Sequence, residues 1–172
     1  MLTTELKVPP FIYSSPFTIE TTSAIALLIK PSLGKSFLYD YKDGDSLHCG
    51  ILDSFGHVHD FDEKGLHFSL QRWLNCISIP VDVSLQSNKS MPTMDDVKEA
   101  WAQQCVRYDS ETANCFTFVL FCLKSFGCYK HSSETDFLTE VVLPHTAKAA
   151  KYISLYRRLV SSGGTLVNSD DT

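Results

Sequence analysis

An apolar segment in the second half of the chain most constrains the fold. It runs from Asn114 to Phe126 and is apolar nearly all round, which is typical of a helix that is covered on every side. Asn114 is a favoured N-cap residue, and Gly127 is a favoured residue just after a helix end. The side chains that recur at helical spacing are Phe116, Val119, Leu120 and Leu123. We therefore predict a central helix that a sheet must cover.

Several other segments have the composition of β-strands. Ala24 to Lys30 is a continuous apolar run of strand length. Ser46 to Asp53 and Gly56 to Phe61 predict a hairpin, and Asn75 to Val81 predicts a further strand. Together with the central helix, these segments predict an α+β fold in which an antiparallel sheet packs on that helix.

Two more helices are expected around the sheet. The first begins at Met94, with Thr93 as its N-cap, and ends near Val106. The second spans Thr146 to about Val160 and carries an apolar stripe on one side.

The length of 172 residues favours one domain. We expect a flexible arm over residues 1–20, a domain over residues 21–162 and a disordered tail over residues 163–172.

The formal net charge of −5 argues against nucleic acid as a partner. No stretch reaches the ~20 apolar residues of a membrane span. Residues 1–15 lack the pattern of a signal peptide, so the expected location is the cytosol or the nucleus.

The cysteines have no Cys-x-x-Cys spacing, so the usual zinc-ribbon and thioredoxin patterns are absent from the sequence. In a reducing compartment they are expected to be free thiols, most of them small core residues. We predict no cofactor and no metal. The cysteines are Cys49, Cys76, Cys105, Cys115, Cys122 and Cys128.

Cys115 and His48 are the candidate catalytic pair. Cys115 follows the predicted cap Asn114, and a cysteine in the first turn of a helix is favoured as a thiolate. His48 lies in the strand segment Leu47-His48-Cys49-Gly50-Ile51, and we expect it to be the base that takes the thiol proton. Gly50 leaves room for the close approach of another group. The competing interpretation is a structural core cysteine and an ordinary strand histidine.

A third residue would orient the His48 ring. We expect the hairpin to pair His48 with Phe61, which places His59 on the same face and roughly 7–8 Å from His48 along the diagonal. His59, or failing that Asp60 or His57, then bonds the second ring nitrogen of His48. A shift of one residue in the register would move His59 to the other face.

A metal site competes with this assignment. His57 and His59 are two residues apart on one strand, and His48 would supply a third imidazole, as in catalytic zinc sites. This alternative has no nearby carboxylate ligand in its favour and leaves Cys115 unexplained.

The order of these residues resembles the circularly permuted papain-like superfamily, which includes the NlpC/P60 cell-wall peptidases and the lecithin:retinol acyltransferase group. The matching positions are His48, His59 and the pair Asn114-Cys115, within residues 46 to 127. The resemblance implies a papain-like fold and a covalent thioester at Cys115. At the helix start, the Cys115 backbone amide and a second donor that the sequence does not identify would hold an oxyanion, with Asn114 in a supporting role.

A closer resemblance covers nearly the whole chain. The sequence is similar to the makorin-2 opposite-strand protein family of vertebrates, a resemblance that implies membership of a family but no activity. The segments that carry it are Leu28-Ile29-Lys30-Pro31, Leu47-His48, Ile77-Ser78-Ile79-Pro80, Asn114-Cys115, and Lys151-Tyr152-Ile153-Ser154-Leu155-Tyr156-Arg157.

The expected function is that of a cysteine hydrolase or acyl transferase acting on an amide, an isopeptide or a lipid ester of a protein or lipid substrate. The alternative is a non-catalytic protein-interaction module that keeps the same fold with a vestigial site. The sequence leaves the substrate, the biological partner and the oligomeric state open.

Overall fold

A five-stranded sheet and three helical units make up the part of the chain that the computed structural model describes, which is residues 13–17, 25–33, 36–42, 44–70, 73–82, 91–104, 106–129 and 133–163. The strands are β1 (Ala26–Pro31), β2 (Leu47–Leu52), β3 (Val58–Asp62), β4 (Gly65–Ser69) and β5 (Ile77–Pro80). The helices are α1 (Met94–Gln103), α2 (Cys115–Ser125), α3 (Glu134–Phe137) and α4 (Leu143–Ser161). A π-helical stretch, Leu138–Val142, joins α3 and α4 into one unit.

The strands lie in the order β4-β3-β2-β1-β5, and every neighbouring pair is antiparallel. The predicted α+β class and the antiparallel sheet are therefore confirmed. The edge strand β4 was not predicted. It is only five residues long and begins at Gly65 with φ 113°, although Leu66 and Phe68 alternate with His67 and Ser69 as in a half-buried strand.

The β2–β3 hairpin has a different register from the predicted one. Gly50 lies opposite Asp60, so the expected pairing of His48 with Phe61 is wrong by one residue. The cause is the turn: the Asp53 amide donates to the His57 carbonyl at 2.9 Å, so Asp53 faces His57 and not Gly56. The Asp53 carboxylate accepts hydrogen bonds from two backbone amides of the turn, at 2.9 Å each. Gly56 adopts φ 86°, which favours glycine.

Helix α2 begins and ends where the sequence predicts. Asn114 Oδ1 accepts from the backbone amides of Phe116 at 2.8 Å and Thr117 at 3.2 Å, while Thr117 Oγ1 accepts from the Asn114 amide at 2.6 Å. This reciprocal arrangement is a capping box. At the other end, Gly127 at φ 69° closes the helix, as its left-handed conformation allows the chain to turn away.

The two faces of the sheet carry separate apolar clusters. The larger cluster places α2 against one face, where Cys49, Ile51 and Phe61 meet the buried side of the helix. The smaller cluster covers the opposite face; its members are Ala26, Leu28, Leu52, Val58 and Cys76, with Trp73 packed against them. Burial on both faces explains why β1 is a continuous apolar run.

The C-terminal helical unit is tied to the segment between β1 and β2. The Arg157 guanidinium donates hydrogen bonds to three backbone carbonyls, those of Phe37 at 3.2 Å, Leu38 at 2.8 Å and Tyr41 at 2.6 Å. Tyr156 adds a hydroxyl–hydroxyl contact of 2.8 Å with Tyr39. Helix α4 begins at Leu143, earlier than predicted, because Pro144 is compatible with the first turn of a helix.

The predicted domain boundaries stay predictions. The described part of the arm includes Phe17, whose side chain is buried and stacks on Phe37. Residues 1–12, 18–20 and 164–172 lie outside the described residues, as does Cys105. No helix within the described ranges is long and apolar enough to cross a membrane.

Removing the cap of α2 should destabilise the fold, because the helix is buried and its first amides have no other partners in the helix. We expect Asn114→Ala to lower the free energy of unfolding in urea by about 1–2 kcal/mol. The matched control is Asn114→Asp, which keeps an acceptor at the same place and should lose much less. Equal losses in the two variants would contradict a capping role.

Candidate active site

Cys115 is the first residue of α2 and is 3% exposed. Its sulfur is held by hydrogen bonds from the Cys49 side chain, the Cys49 backbone amide and the His48 ring. The Cys49 side chain has the largest influence; together, these bonds outweigh the effect of burial and lower the pKa of the Cys115 thiol to about 5. Cys115 is therefore a thiolate at neutral pH.

His48 lies between the Cys115 sulfur and a carboxylate. Its Nε2 is 2.7 Å from Oδ2 of Asp60, which leaves Nδ1 as the nitrogen for the thiolate. Burial is the largest single influence and opposes the charged ring. Hydrogen bonds with Asp60 and Cys115, together with their negative charges, outweigh it and raise the pKa of His48 to about 9. Between the two pKa values the pair is a thiolate beside an imidazolium.

Cys49 is the site residue that the sequence analysis missed. Its side chain is fully buried, and burial together with the neighbouring Cys115 raises its pKa well above that of a free thiol. Cys49 consequently keeps its proton, and its S–H donates a hydrogen bond to the Cys115 thiolate. Its position beside His48 on β2 was a signal, but only the packing of α2 on that strand brings it to Cys115.

Asp60, and not His59, bonds the second nitrogen of His48. The corrected register places Asp60 diagonal to His48 on the same face and turns His59 to the opposite face. His59 instead bonds Asp53, with its Nε2 2.9 Å from Oδ2 of that carboxylate. Of the three residues considered for the orienting role, Asp60, the second choice, is the one that bonds His48.

The His48 ring is packed as well as hydrogen-bonded. It lies 5.4 Å from the Trp73 ring, centroid to centroid, and the Lys30 ammonium lies 4.0 Å from the centroid of the Trp73 ring. Gly50 makes this arrangement possible. A Cβ there would stand 2.8 Å from the His59 carbonyl oxygen and 3.1 Å from the Trp73 ring, so the predicted close approach at Gly50 is confirmed.

Asn114 is placed next to the nucleophile as the helix cap. Its Oδ1 is occupied by two backbone amides, and its Nδ2 donates to the Ser110 carbonyl at 3.2 Å. These bonds fix the start of α2 and with it the position of Cys115. Asn114 therefore supports the site through the backbone.

The imidazoles of the competing metal site do not converge. His57, which precedes β3, and His59 both lie against Asp53, whereas His48 is on the other face of the sheet with Asp60. Within the described ranges, no group of three or more His, Cys, Asp and Glu side chains is arranged to hold a metal ion.

Comparison with known sequences places the chain in a family. Residues 10–159 match the family model described as DUF4796 C-terminal. The chain belongs to the DUF4796 C-terminal family. Its alignment with the human MKRN2 opposite strand protein is 28% identical over 170 residues, covering 92% of this chain and 74% of that protein. No solved structure matches the chain significantly. The resemblance to the makorin-2 opposite-strand family is thus confirmed for this DUF4796 C-terminal member.

Alkylation of Cys115 by iodoacetamide should report the thiolate directly. We expect the rate of Cys115 alkylation to rise with a midpoint near pH 5 and to stay constant through neutral pH. Cys122 should not compete, because burial raises the pKa of its thiol. His48→Ala should move the midpoint up by more than about one pH unit, because it removes a hydrogen bond and a positive charge. Peptide mass spectrometry would locate the modified cysteine.

Two substitutions of Cys49, measured in the same alkylation assay, test whether its side chain donates a hydrogen bond to Cys115. Cys49→Ala removes the side-chain donor and should raise the midpoint for Cys115, whereas Cys49→Ser keeps a hydroxyl donor and should stay nearer the wild type. A midpoint that is unchanged in Cys49→Ala would contradict the assigned hydrogen bond.

Proposed function

We propose that the protein is a cysteine hydrolase or acyl transferase with Cys115 as nucleophile, His48 as general base and acid, and Asp60 as the residue that orients His48. The observation that carries this proposal is the continuous array from the Cys115 sulfur through the His48 ring to the Asp60 carboxylate. A nucleophile, a base within reach and a group that orients the base are the three parts of a thiol-based acyl-transfer site.

In the first half of the reaction, the Cys115 thiolate attacks the carbonyl carbon of an amide or ester. A new C–S bond forms and the carbonyl oxygen takes the negative charge. The backbone amide of Cys115 stands at the start of α2, where helix amides have no partner within the helix and suit an oxyanion. As the intermediate collapses, the imidazolium of His48 protonates the leaving amine or alcohol, and a thioester remains on Cys115.

In the second half, neutral His48 takes a proton from water or from an acceptor nucleophile, which attacks the thioester carbonyl. The C–S bond breaks and the Cys115 thiolate is restored together with the His48 imidazolium. Water as acceptor gives hydrolysis, and an amine or alcohol gives acyl transfer. Asp60 keeps the ring orientation and the tautomer constant in both halves.

The proposed fold type is circularly permuted papain-like, related to the NlpC/P60 and acyltransferase groups. Three features support it: a strand histidine that precedes the helix cysteine, a polar residue on the adjacent strand, and an Asn-Cys pair at the helix start. Where the acyltransferase branch has a second histidine about a dozen residues after the first, the residue that bonds His48 in this chain is Asp60, 12 residues later.

The substrate class we propose is an amide, an isopeptide or a lipid ester carried by a protein or a lipid. The proposed location is the cytosol or the nucleus, because the described cysteines are all free and a site built on two reduced thiols needs a reducing compartment. Nucleic acid is not proposed as a partner, given the net charge of −5.

The alternative function is a protein-interaction module in which the same site is idle. The observation that favours it is the burial of the nucleophile: Cys115 is 3% exposed, and a substrate carbonyl must reach its sulfur. Under this alternative the buried ion pair organises the end of α2 and performs no chemistry.

Turnover of an activated ester separates the two functions. With 4-nitrophenyl acetate, the enzyme should form an acetyl adduct on Cys115 and then release nitrophenolate in large excess over protein, whereas an idle thiolate would be acetylated once. Cys115→Ser should lose both signals. A single stoichiometric burst without turnover would favour the interaction module.

The identity of the orienting residue is tested by neighbouring substitutions on β3. Asp60→Asn should lower kcat/KM by at least about 10-fold, because the amide no longer favours the correct tautomer and charge of His48. His59→Gln, on the opposite face, should leave kcat/KM close to the wild type. The reverse ranking would assign the orienting role to His59.

The pH profile of kcat/KM should be highest between about pH 5 and about pH 9, where the Cys115 thiolate and the His48 imidazolium coexist.

A further inference from the structure

A cavity lies at the far end of α2 from Cys115. Its volume is about 580 Å³, within the range of about 300–1,000 Å³ that is usual for small-molecule sites. Phe126 lines it and follows the last residue of α2, whereas Cys115 is the first. At ~1.5 Å of rise per residue, the helix separates the two places by about 16 Å. The cavity is therefore distinct from the candidate active site.

One residue that lines the cavity, His59, carries a buried ring nitrogen without a hydrogen-bond partner in the described part of the chain. His59 is 2% exposed; its Nε2 is engaged with Asp53, and its Nδ1 has no hydrogen-bond partner among the described residues. Burial, and then the nearby charges of Lys98 and His57, lower the pKa of His59 despite its bond with Asp53. The ring is therefore neutral at pH 7. With its proton on Nε2 toward the Asp53 carboxylate, Nδ1 presents a lone pair.

The walls of the cavity are largely apolar. Phe55 and Phe68 are 84% and 52% exposed, and Met91 is 40% exposed, so these side chains form an accessible rim. Lys98 also lines the cavity, but its ammonium is 2.7 Å from the Asp95 carboxylate and is already paired. An anionic ligand would also approach the Asp53 carboxylate, which disfavours it.

We propose that this cavity binds a small, neutral, apolar molecule that carries a hydroxyl or N–H group, and that His59 Nδ1 accepts the hydrogen bond from that group. The apolar body of the ligand would contact Phe55, Phe68 and Met91. A buried acceptor without a partner is costly, and a ligand that supplies the missing donor removes that cost. A ligand of the same shape without a donor leaves the nitrogen unsatisfied.

The test compares two probes that differ only in this donor, 4-methylphenol and 4-methylanisole. Titrations of ¹⁵N-labelled protein at pH 7.5, followed through the histidine ring nitrogens, would report binding at His59. We expect 4-methylphenol to shift the Nδ1 resonance of His59. It should bind at least about 10-fold more tightly than 4-methylanisole, which is the affinity ratio expected for one hydrogen bond. No shift at His59, or equal affinities for the two probes, would overturn the proposal.

Two variants fix the assignment. His59→Phe keeps a planar ring but removes the acceptor, so the preference for 4-methylphenol should vanish. The matched control is His67→Phe on β4, whose histidine bonds Asp62 outside the cavity and whose loss should leave the preference intact. If His59→Phe does not fold, Met91→Trp at the rim fills the cavity and should weaken both probes; unchanged binding there would count against the site.

Discussion

The burial of α2 against β2 is the constraint on which the rest of the structure depends. The helix is apolar on nearly every side, so it gains free energy only where the sheet and the other helices cover it. Its start must be capped inside the protein, because buried amides without partners are costly. Asn114 and Thr117 meet that requirement, and they thereby fix Cys115 at one place above the sheet.

That placement puts a thiolate where solvent hardly reaches, and the protein compensates for the lost hydration with specific partners. The helix start is worth about 0.3–1 kcal/mol to a nearby negative charge, which is less than one pKa unit. Most of the lowered pKa of Cys115 must therefore come from Cys49 and His48, and the largest influence is the hydrogen bond from the Cys49 side chain. A buried thiol that donates to a thiolate is consistent with the raised pKa of Cys49 itself.

The β2–β3 hairpin carries two histidine–carboxylate pairs on opposite faces of the sheet. His48 with Asp60 belongs to the thiolate site, and His59 with Asp53 belongs to the cavity at the turn. The two pairs differ in charge because their surroundings differ. A neighbouring thiolate and carboxylate raise the pKa of His48, whereas burial and the charges of Lys98 and His57 lower that of His59. One strand pair thus holds a charged and a neutral imidazole.

The sequence by itself determined the elements that depend on local interactions. The cap at Asn114, the length of α2, the strands β1 and β2 and the start of α1 all follow from residue preferences and apolar spacing, and each was predicted close to its observed position. Cys115 and His48 were also selected this way as the candidate pair, because a helix start and a strand motif are local signals. Strand β4 was not predicted, although Leu66 and Phe68 alternate with His67 and Ser69; the alternation covers only a few residues.

Only the tertiary structure decided which side chains meet. The turn at Asp53 pairs it with His57, and this difference of one residue exchanges Asp60 for His59 beside His48, because successive residues of a strand point to opposite faces. Cys49 became a site residue through the packing of α2 on β2, which no local pattern encodes. The cavity around His59 likewise forms between segments far apart in the chain, so its existence depends on how the sheet, α1 and the end of α2 come together.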